Sequence, residues 1–187
     1  MEISLIRHGK SAFKDHHRVT GKEFADWVKH YNDHGVCEEE GYPPETLDKI
    51  RSANLILTSD LQRSVESASL LHQNSAAVSM PVFRETELPH PSVKGVKFNP
   101  AVWAFSLRCL WFMGYSRECE SLFTARWRAQ KAAQLLIELA EEHQAIALVG
   151  HGVFNRFIAD ELLKKGWTGK RKTSRKHWHC TTYAFDV

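Results

Sequence analysis

Three short apolar runs, each broken at once by polar residues, constrain the fold of this chain more than any other feature. Ile3 to Ile6 runs into Arg7-His8-Gly9, Ala53 to Leu57 into Thr58-Ser59-Asp60, and Ala145 to Val149 into Gly150-His151-Gly152. Short runs with β-branched character read as buried strands. Helical patterns follow the second and third, so the class is α/β with parallel strands. In open α/β sheets, ligands bind in the crevice just beyond the carboxyl ends of strands. Arg7, His8 and His151 fall at such ends, and Arg63 falls in the first turn of the helix after the second strand. A guanidinium beside a reactive imidazole points to an anionic target.

At 187 residues the chain suits one domain, 1–187, and 43% hydrophobic with 25% charged residues is ordinary for a globular protein. A formal charge of +3 is too small to call for a nucleic-acid partner. No apolar run approaches the ~18 residues needed to span a bilayer, and the first residues read as a strand rather than a signal segment. No membrane partner and a cytoplasmic location are expected. Cys37, Cys109, Cys119 and Cys180 lie far apart with no Cys-x-x-Cys, which suits reduced, partly buried thiols.

Thr20 offers an N-cap for a helix that carries Phe24, Trp27, Val28 and Tyr31 and ends near Gly35. His30 and His34 stand four apart on it, but without a third ligand nearby no metal site is expected. Pro43-Pro44 opens a short helix through Leu47 and Ile50. Ser59 or Asp60 is expected to cap the next helix, with Val65, Ala68, Leu70 and Leu71 as its buried face. Val78 to Phe83 reads as extended and broken by Pro81, and Pro89 to Pro100 as a variable loop over the site. Ala101 to Met113, with Trp103, Phe105, Trp111 and Phe112, reads as a packed core helix rather than a ligand cage. Glu118 to His143 suits a crossover helix before the third strand, and Val153 to Gly166 the helix after it. Arg156 is expected to pair with Asp160 on the surface of that last helix. The basic stretch from Lys164 to Lys176 reads as a solvated loop, and Cys180 to Val187 as a last strand at a sheet edge.

Taken together, Arg7-His8-Gly9, Leu57 to Ala68 with its Arg63, and Gly150-His151-Gly152 resemble the histidine phosphatase (phosphoglycerate mutase-like) superfamily. The resemblance spans most of the chain, and one His near residue 8 with another near residue 150 fits a small phosphatase branch. It implies a three-layer α/β/α fold with a mostly parallel central sheet. It also implies a phosphomonoesterase that works through a phosphohistidine intermediate on His8. Arg7, Arg63 and His151 would hold the phosphate, whose transferring group spreads charge over three equatorial oxygens. The arginines would keep His8 unprotonated by like charge, with its other ring nitrogen held by a backbone carbonyl. Gly9 and Gly152 would let the backbone turn tightly against the phosphate, with Lys10 and Ser11 as further contacts. The helix N-terminus near Val153 would favour an anion.

The leaving alkoxide needs a proton. In the family a Glu in a Leu-x-Glu or Arg-Glu context supplies it, which matches Glu85 in Phe83-Arg84-Glu85. Glu87, two residues on, stays open as the alternative. Leu88-Pro89-His90-Pro91 follows where relatives carry a Gly-Trp-Glu-Gly-like stretch, and Lys10 stands where many have Glu or Gln. No metal or cofactor is expected, because the arginines supply the positive charge. The expected partner is a small phosphorylated substrate or a phosphoprotein. Other readings are a phosphohistidine or phosphoprotein phosphatase, a phosphoglycerate mutase, and a non-catalytic anion-binding protein. The short chain speaks against the mutase, and Arg7, His8, Arg63 and His151 together speak against the last.

Overall fold

The computed structural model describes residues 1–72, 76–91, 93 and 95–186. Its centre is a six-stranded sheet built from β1 (Glu2–Arg7), β3 (Leu55–Thr58), β4 (Val78–Ser79), β6 (Ala145–Gly150), β7 (Thr168–Gly169) and β8 (Cys180–Ala184). Their order across the sheet is β4-β3-β6-β1-β8-β7. The first four run parallel, while β8 lies antiparallel to β1 and β7 antiparallel to β8. The class expected from the sequence is the one observed.

Register does the placing. Arg7 sits opposite Gly150 and Thr58 opposite Val149, so β1, β6 and β3 end level with one another. The residues just beyond those ends, His8, His151 and Ser59, therefore emerge along one rim of the sheet.

Alternation along the strands divides the core in two. Ile3, Leu5, Leu57, Ile146 and Leu148 face one side, covered by α5 (Leu122–His143) and α6 (Gly152–Lys164). Ile6, Ile56, Ala147 and Val149 face the other, under α2 (Pro44–Ser52) and α3 (Gln62–Leu71). Side chains of a strand point to opposite faces in turn, and burial on both faces gives the unbroken apolar runs seen in the sequence. These are the three layers.

Beside the strand ends stands a smaller unit. It comprises α1 (Gly21–Asp33), α4 (Pro100–Phe112) and a ribbon of β2 (Val19–Thr20) with β5 (Lys97–Phe98). Phe24, Trp103 and Leu107 form its own core. Thr20 caps α1 as expected: its hydroxyl accepts the Glu23 N–H at 3.3 Å, and Glu23 accepts the Thr20 N–H at 2.7 Å.

Several expectations are corrected. The N-cap of α3 is Leu61, without a side-chain cap, because Asp60 is drawn away into a two-pronged pair with Arg84 at 2.5 and 2.6 Å. The buried face of α3 is polar in part: Arg63, Ser64 and Ser67 lie buried with Ala68 and Leu71, while Val65 and Leu70 are only half-buried. Beyond β4, Pro81–Phe83 is a 3-10 turn rather than extended chain. On α4, Trp103 and Trp111 are buried, but Phe105 is 73% and Phe112 48% exposed, so only one stripe of that helix is core.

Helix α5 buries alanines (Ala125, Ala129, Ala132, Ala133, Ala140) around Leu136, and leaves Trp127 outside under Lys131. Small side chains let it pack closely, a pattern that an amphipathic count of large residues overlooks. Arg156 is exposed and forms no ion pair with Asp160 among the described residues. Strand β8 is interior, because the two-residue β7 pairs along its outer side. All four cysteines are free, with Cys109 exposed and the others half-buried. No helix is long and apolar enough to cross a membrane.

Candidate active site

The His8 ring is 4% exposed and stands at the end of β1, with the His151 ring 5.0 Å away at the end of β6. A third imidazole, His177, lies 5.5 Å from His8 on the other side. His8 Nδ1 lies 2.7 Å from the Gly9 carbonyl oxygen. A carbonyl only accepts, so Nδ1 carries the proton and Nε2 keeps its lone pair. His177 Nδ1 donates to the His8 carbonyl at 2.8 Å, which fixes the backbone from the far side.

Arg7 leaves the same strand end. Its Nη1 donates to the Arg175 carbonyl. Arg63, 3% exposed, projects from the first turn of α3; its Nη1 donates to Asn32 Oδ1 at 2.9 Å, and its guanidinium lies 4.8 Å over the Tyr31 ring. Helix α1 thus holds Arg63 in place. His151 is fully buried, and its Nε2 lies 2.6 Å from the Ser59 hydroxyl, which also accepts the Leu61 N–H. That bond occupies Nε2 and leaves Nδ1 as the ring's other nitrogen. Arg7 Nε, Arg63 Nε and His151 Nδ1 are buried nitrogens without a protein partner. Buried polar nitrogens are normally satisfied, so three on His8's neighbours leave room for an anionic partner there.

Burial pushes the His8 pKa well below the usual 6.5, and the Arg63 charge adds to the effect. Burial does the same to His151, helped by the neighbouring His8 and Arg63. Both rings are therefore neutral near pH 7. In the unfolded chain each imidazole returns to about 6.5 and takes up a proton more readily than in the fold. Stability is then full above about pH 6.5 and falls as the pH drops below it, by up to about 1.4 kcal/mol per pH unit for each ring. Thermal denaturation between pH 7.5 and 5.5 is expected to show a falling Tm, with a shallower slope in His151→Gln. An unchanged slope in that variant would count against this account.

Glu85 lies where α6 begins. Its Oε1 accepts the Thr86 and Phe154 N–H groups, both at 2.9 Å, and its Oε2 accepts that of Val153 at 3.1 Å. The anion at this helix N-terminus is thus a carboxylate of the chain itself, held beside Arg7 and Arg63. Glu87 is exposed and turns instead to the backbone N–H of Glu120 at 3.0 Å.

The two glycines serve packing rather than a turn against an anion. A Cβ on Gly9 would stand 2.0 Å from the Trp178 ring, and one on Gly152 would stand 3.3 Å from Arg7 Nε. Gly9 makes room for a tryptophan and Gly152 for the guanidinium. Ser11 is also displaced from its expected role. It is buried in a bridge to Val36, and its hydroxyl accepts the Phe13 N–H. Lys10 is exposed, with its carbonyl bonded to Cys37 N–H. Arg7, His8, Arg63, Glu85 and Glu87 line a cavity of about 790 Å³, whereas Gly9, Lys10, Ser11, His151 and Gly152 are not part of its wall.

Sequence reasoning missed Ser59, Asn32, Tyr31, His177 and Arg108. Arg108 reaches the cavity from α4 and is held by Thr86 and Glu87. No local signal singles these out, because each acts across a long sequence separation. Among the described residues, no group of three or more His, Cys, Asp or Glu is arranged to hold a metal, and His34 Nδ1 donates to the His30 carbonyl at 2.5 Å.

The sequence matches the histidine phosphatase superfamily (branch 1) over residues 3–186. Among curated proteins no sequence matches. Among solved structures, the chain is similar to a mycobacterial glucosyl-3-phosphoglycerate phosphatase, at 17% identity and a TM-score of 0.56 over 87% of this chain and 79% of that one. It is similar to a phosphoserine phosphatase mutant from Entamoeba histolytica in complex with phosphoserine, at 15% identity and a TM-score of 0.57 over 99% and 91%. A putative alpha-ribazole-5′-P phosphatase from Escherichia coli matches at 15% identity and a TM-score of 0.54 over 88% and 78%. Likeness at such identities is one of fold. The family match covers nearly the whole chain, and the sheet order, the helices on both faces and the rim carrying His8 and His151 accompany it: the protein belongs to the histidine phosphatase superfamily.

Proposed function

We propose that the protein is a metal-independent phosphomonoesterase that works through a phosphohistidine on His8. The observation that carries this reading is the trio of buried, unpartnered donors, Arg7 Nε, Arg63 Nε and His151 Nδ1, around a neutral His8 with a free Nε2. His8 Nε2 attacks phosphorus, the bond from phosphorus to the ester oxygen breaks, and the Glu85 carboxylate, having taken the proton of the monoanionic phosphate ester, passes it to the departing oxygen. The two guanidiniums and the His151 N–H take up charge on the equatorial oxygens, the service a divalent cation gives elsewhere. Water, deprotonated by Glu85, then attacks the phosphohistidine, the N–P bond breaks, and the released inorganic phosphate carries off the proton, restoring His8 and the Glu85 carboxylate.

The four free thiols support a reducing compartment, and we place the enzyme in the cytoplasm. The substrate is a small phosphorylated molecule rather than nucleic acid. The test is hydrolysis of p-nitrophenyl phosphate by the wild-type protein in the presence of EDTA. Turnover unchanged by the chelator is the expected result. Turnover that the chelator abolishes, and that added divalent metal restores, overturns the metal-independent mechanism.

A further inference from the structure

The cavity at His8 has two unlike halves. At one end stand the phosphate-directed donors. The other end lies between α1, the segment 88–91 and α4, and is walled by Phe24, Trp27, Val28, Leu88, Pro91 and Phe105. About 790 Å³ is far more than a phosphate needs, and falls within the range of pockets that enclose whole small molecules. The bulk of a ligand must therefore lie against the second half.

What that half offers is settled by its polar groups. Arg84 is taken up by Asp60. Arg128 is taken up by Glu120 at 2.5 and 3.1 Å and by the carbonyls of Val82 and Arg84. Arg108 donates to the Thr86 hydroxyl and to the backbone carbonyls of Thr86 and Glu87, and Glu118 pairs with His90 and Arg117. Lys29 is turned to solvent and lies 3.6 Å from Asp26. Arg84, Arg128 and Glu118 are thus held in ion pairs and Arg108 by neutral oxygens, and the buried unpartnered side-chain nitrogens that line the cavity, Arg7 Nε and Arg63 Nε, belong to the residues beside His8. A leaving group with its own carboxylate, ammonium or ring of hydroxyls would lose water there and gain few partners. An apolar one loses nothing. At the rim, Phe105 is 73% exposed and awaits cover.

We propose that the substrates are phosphomonoesters of apolar alcohols, with an alkyl or aryl leaving group seated against Phe24, Val28, Leu88 and Phe105. The proposal rests on the phosphomonoesterase reading above and adds the identity of the group that leaves. Discrimination comes from apolar area, at about three- to fourfold in kcat/KM for each methylene buried.

Ethyl, butyl and hexyl phosphate share one leaving-group chemistry and differ only in apolar length, so they isolate this effect. The expected result is a rise in kcat/KM of at least roughly tenfold from ethyl to hexyl phosphate, with O-phosphoserine and glycerol phosphate at or below the ethyl ester. In Phe105→Ser, and separately in Val28→Ser, the hexyl-to-ethyl ratio is expected to fall to about threefold or less. Phe105 stands mostly in solvent, so the first of these keeps the fold. A series flat from ethyl to hexyl, or a preference for O-phosphoserine, overturns the proposal while His8-dependent hydrolysis leaves the phosphatase reading standing. Failure to hydrolyse any ester in the set overturns both.

Discussion

His8→Ala is expected to abolish turnover of p-nitrophenyl phosphate, with kcat reduced at least about 10⁴-fold. On the proposed mechanism the substitution removes the nitrogen that bonds phosphorus, whereas Arg7, Arg63 and His151 remain to hold the phosphate. Affinity for inorganic phosphate should consequently survive, as read by calorimetry. The fold should survive as well, because the local scaffold is backbone: His8 N–H donates to the Gly150 carbonyl and Gly9 N–H to the Ser67 hydroxyl. Loss of activity with retained phosphate binding is the signature of a nucleophile. Activity above about one per cent of wild type in a well-folded His8→Ala would remove His8 from that role.

Glu85→Gln should divide substrates by their leaving group. With an alkyl phosphate, whose oxygen cannot depart as a bare alkoxide, kcat/KM is expected to fall by about 10²- to 10⁴-fold. With p-nitrophenyl phosphate, whose phenolate leaves without a proton, the loss should be at most about tenfold. The comparison matters because Glu85 also caps α6. A glutamine presents an NH2 to one of the three N–H groups that the carboxylate now accepts, at a cost to stability of about 1 kcal/mol. That cost affects both substrates alike, and only the proton affects one. An equal fall with both esters would reduce Glu85 to a helix cap and return the question to Glu87.

The parts legible in the sequence were those where chemistry and local pattern coincide. Arg7-His8-Gly9 and Gly150-His151-Gly152 each end an apolar run, so strand, break and reactive side chain are adjacent in the chain. Arg63 was visible because it follows a strand by one helical turn. His177 and Arg108 were not. One follows directly on a basic stretch that looks like solvated loop, and the other sits in a helix dense in aromatics. Gly9 illustrates the limit well. Its need for glycine was readable, but the cause is Trp178, a residue 169 positions away that packs where a Cβ would stand. The cap of α3 failed for a similar reason, since Arg84 outcompetes a backbone N–H for the Asp60 carboxylate. Local propensity proposes such contacts, and a charged partner from elsewhere displaces them.

The pairing of β1 has a consequence for how the protein comes into being. This strand is made well before its neighbours β6 and β8, which begin at residues 145 and 180. Contacts of such long sequence separation close late and slowly. Until both have been made, His8 has neither the imidazole of His151 nor the bracing bond from His177, and the strand behind it is an unpaired apolar ribbon. The nascent chain therefore carries His8 through the synthesis of about 170 further residues without a site around it. The site is completed in one step, when β8 is inserted, and a chain stopped short of it is expected to be inert and prone to aggregate rather than partly active.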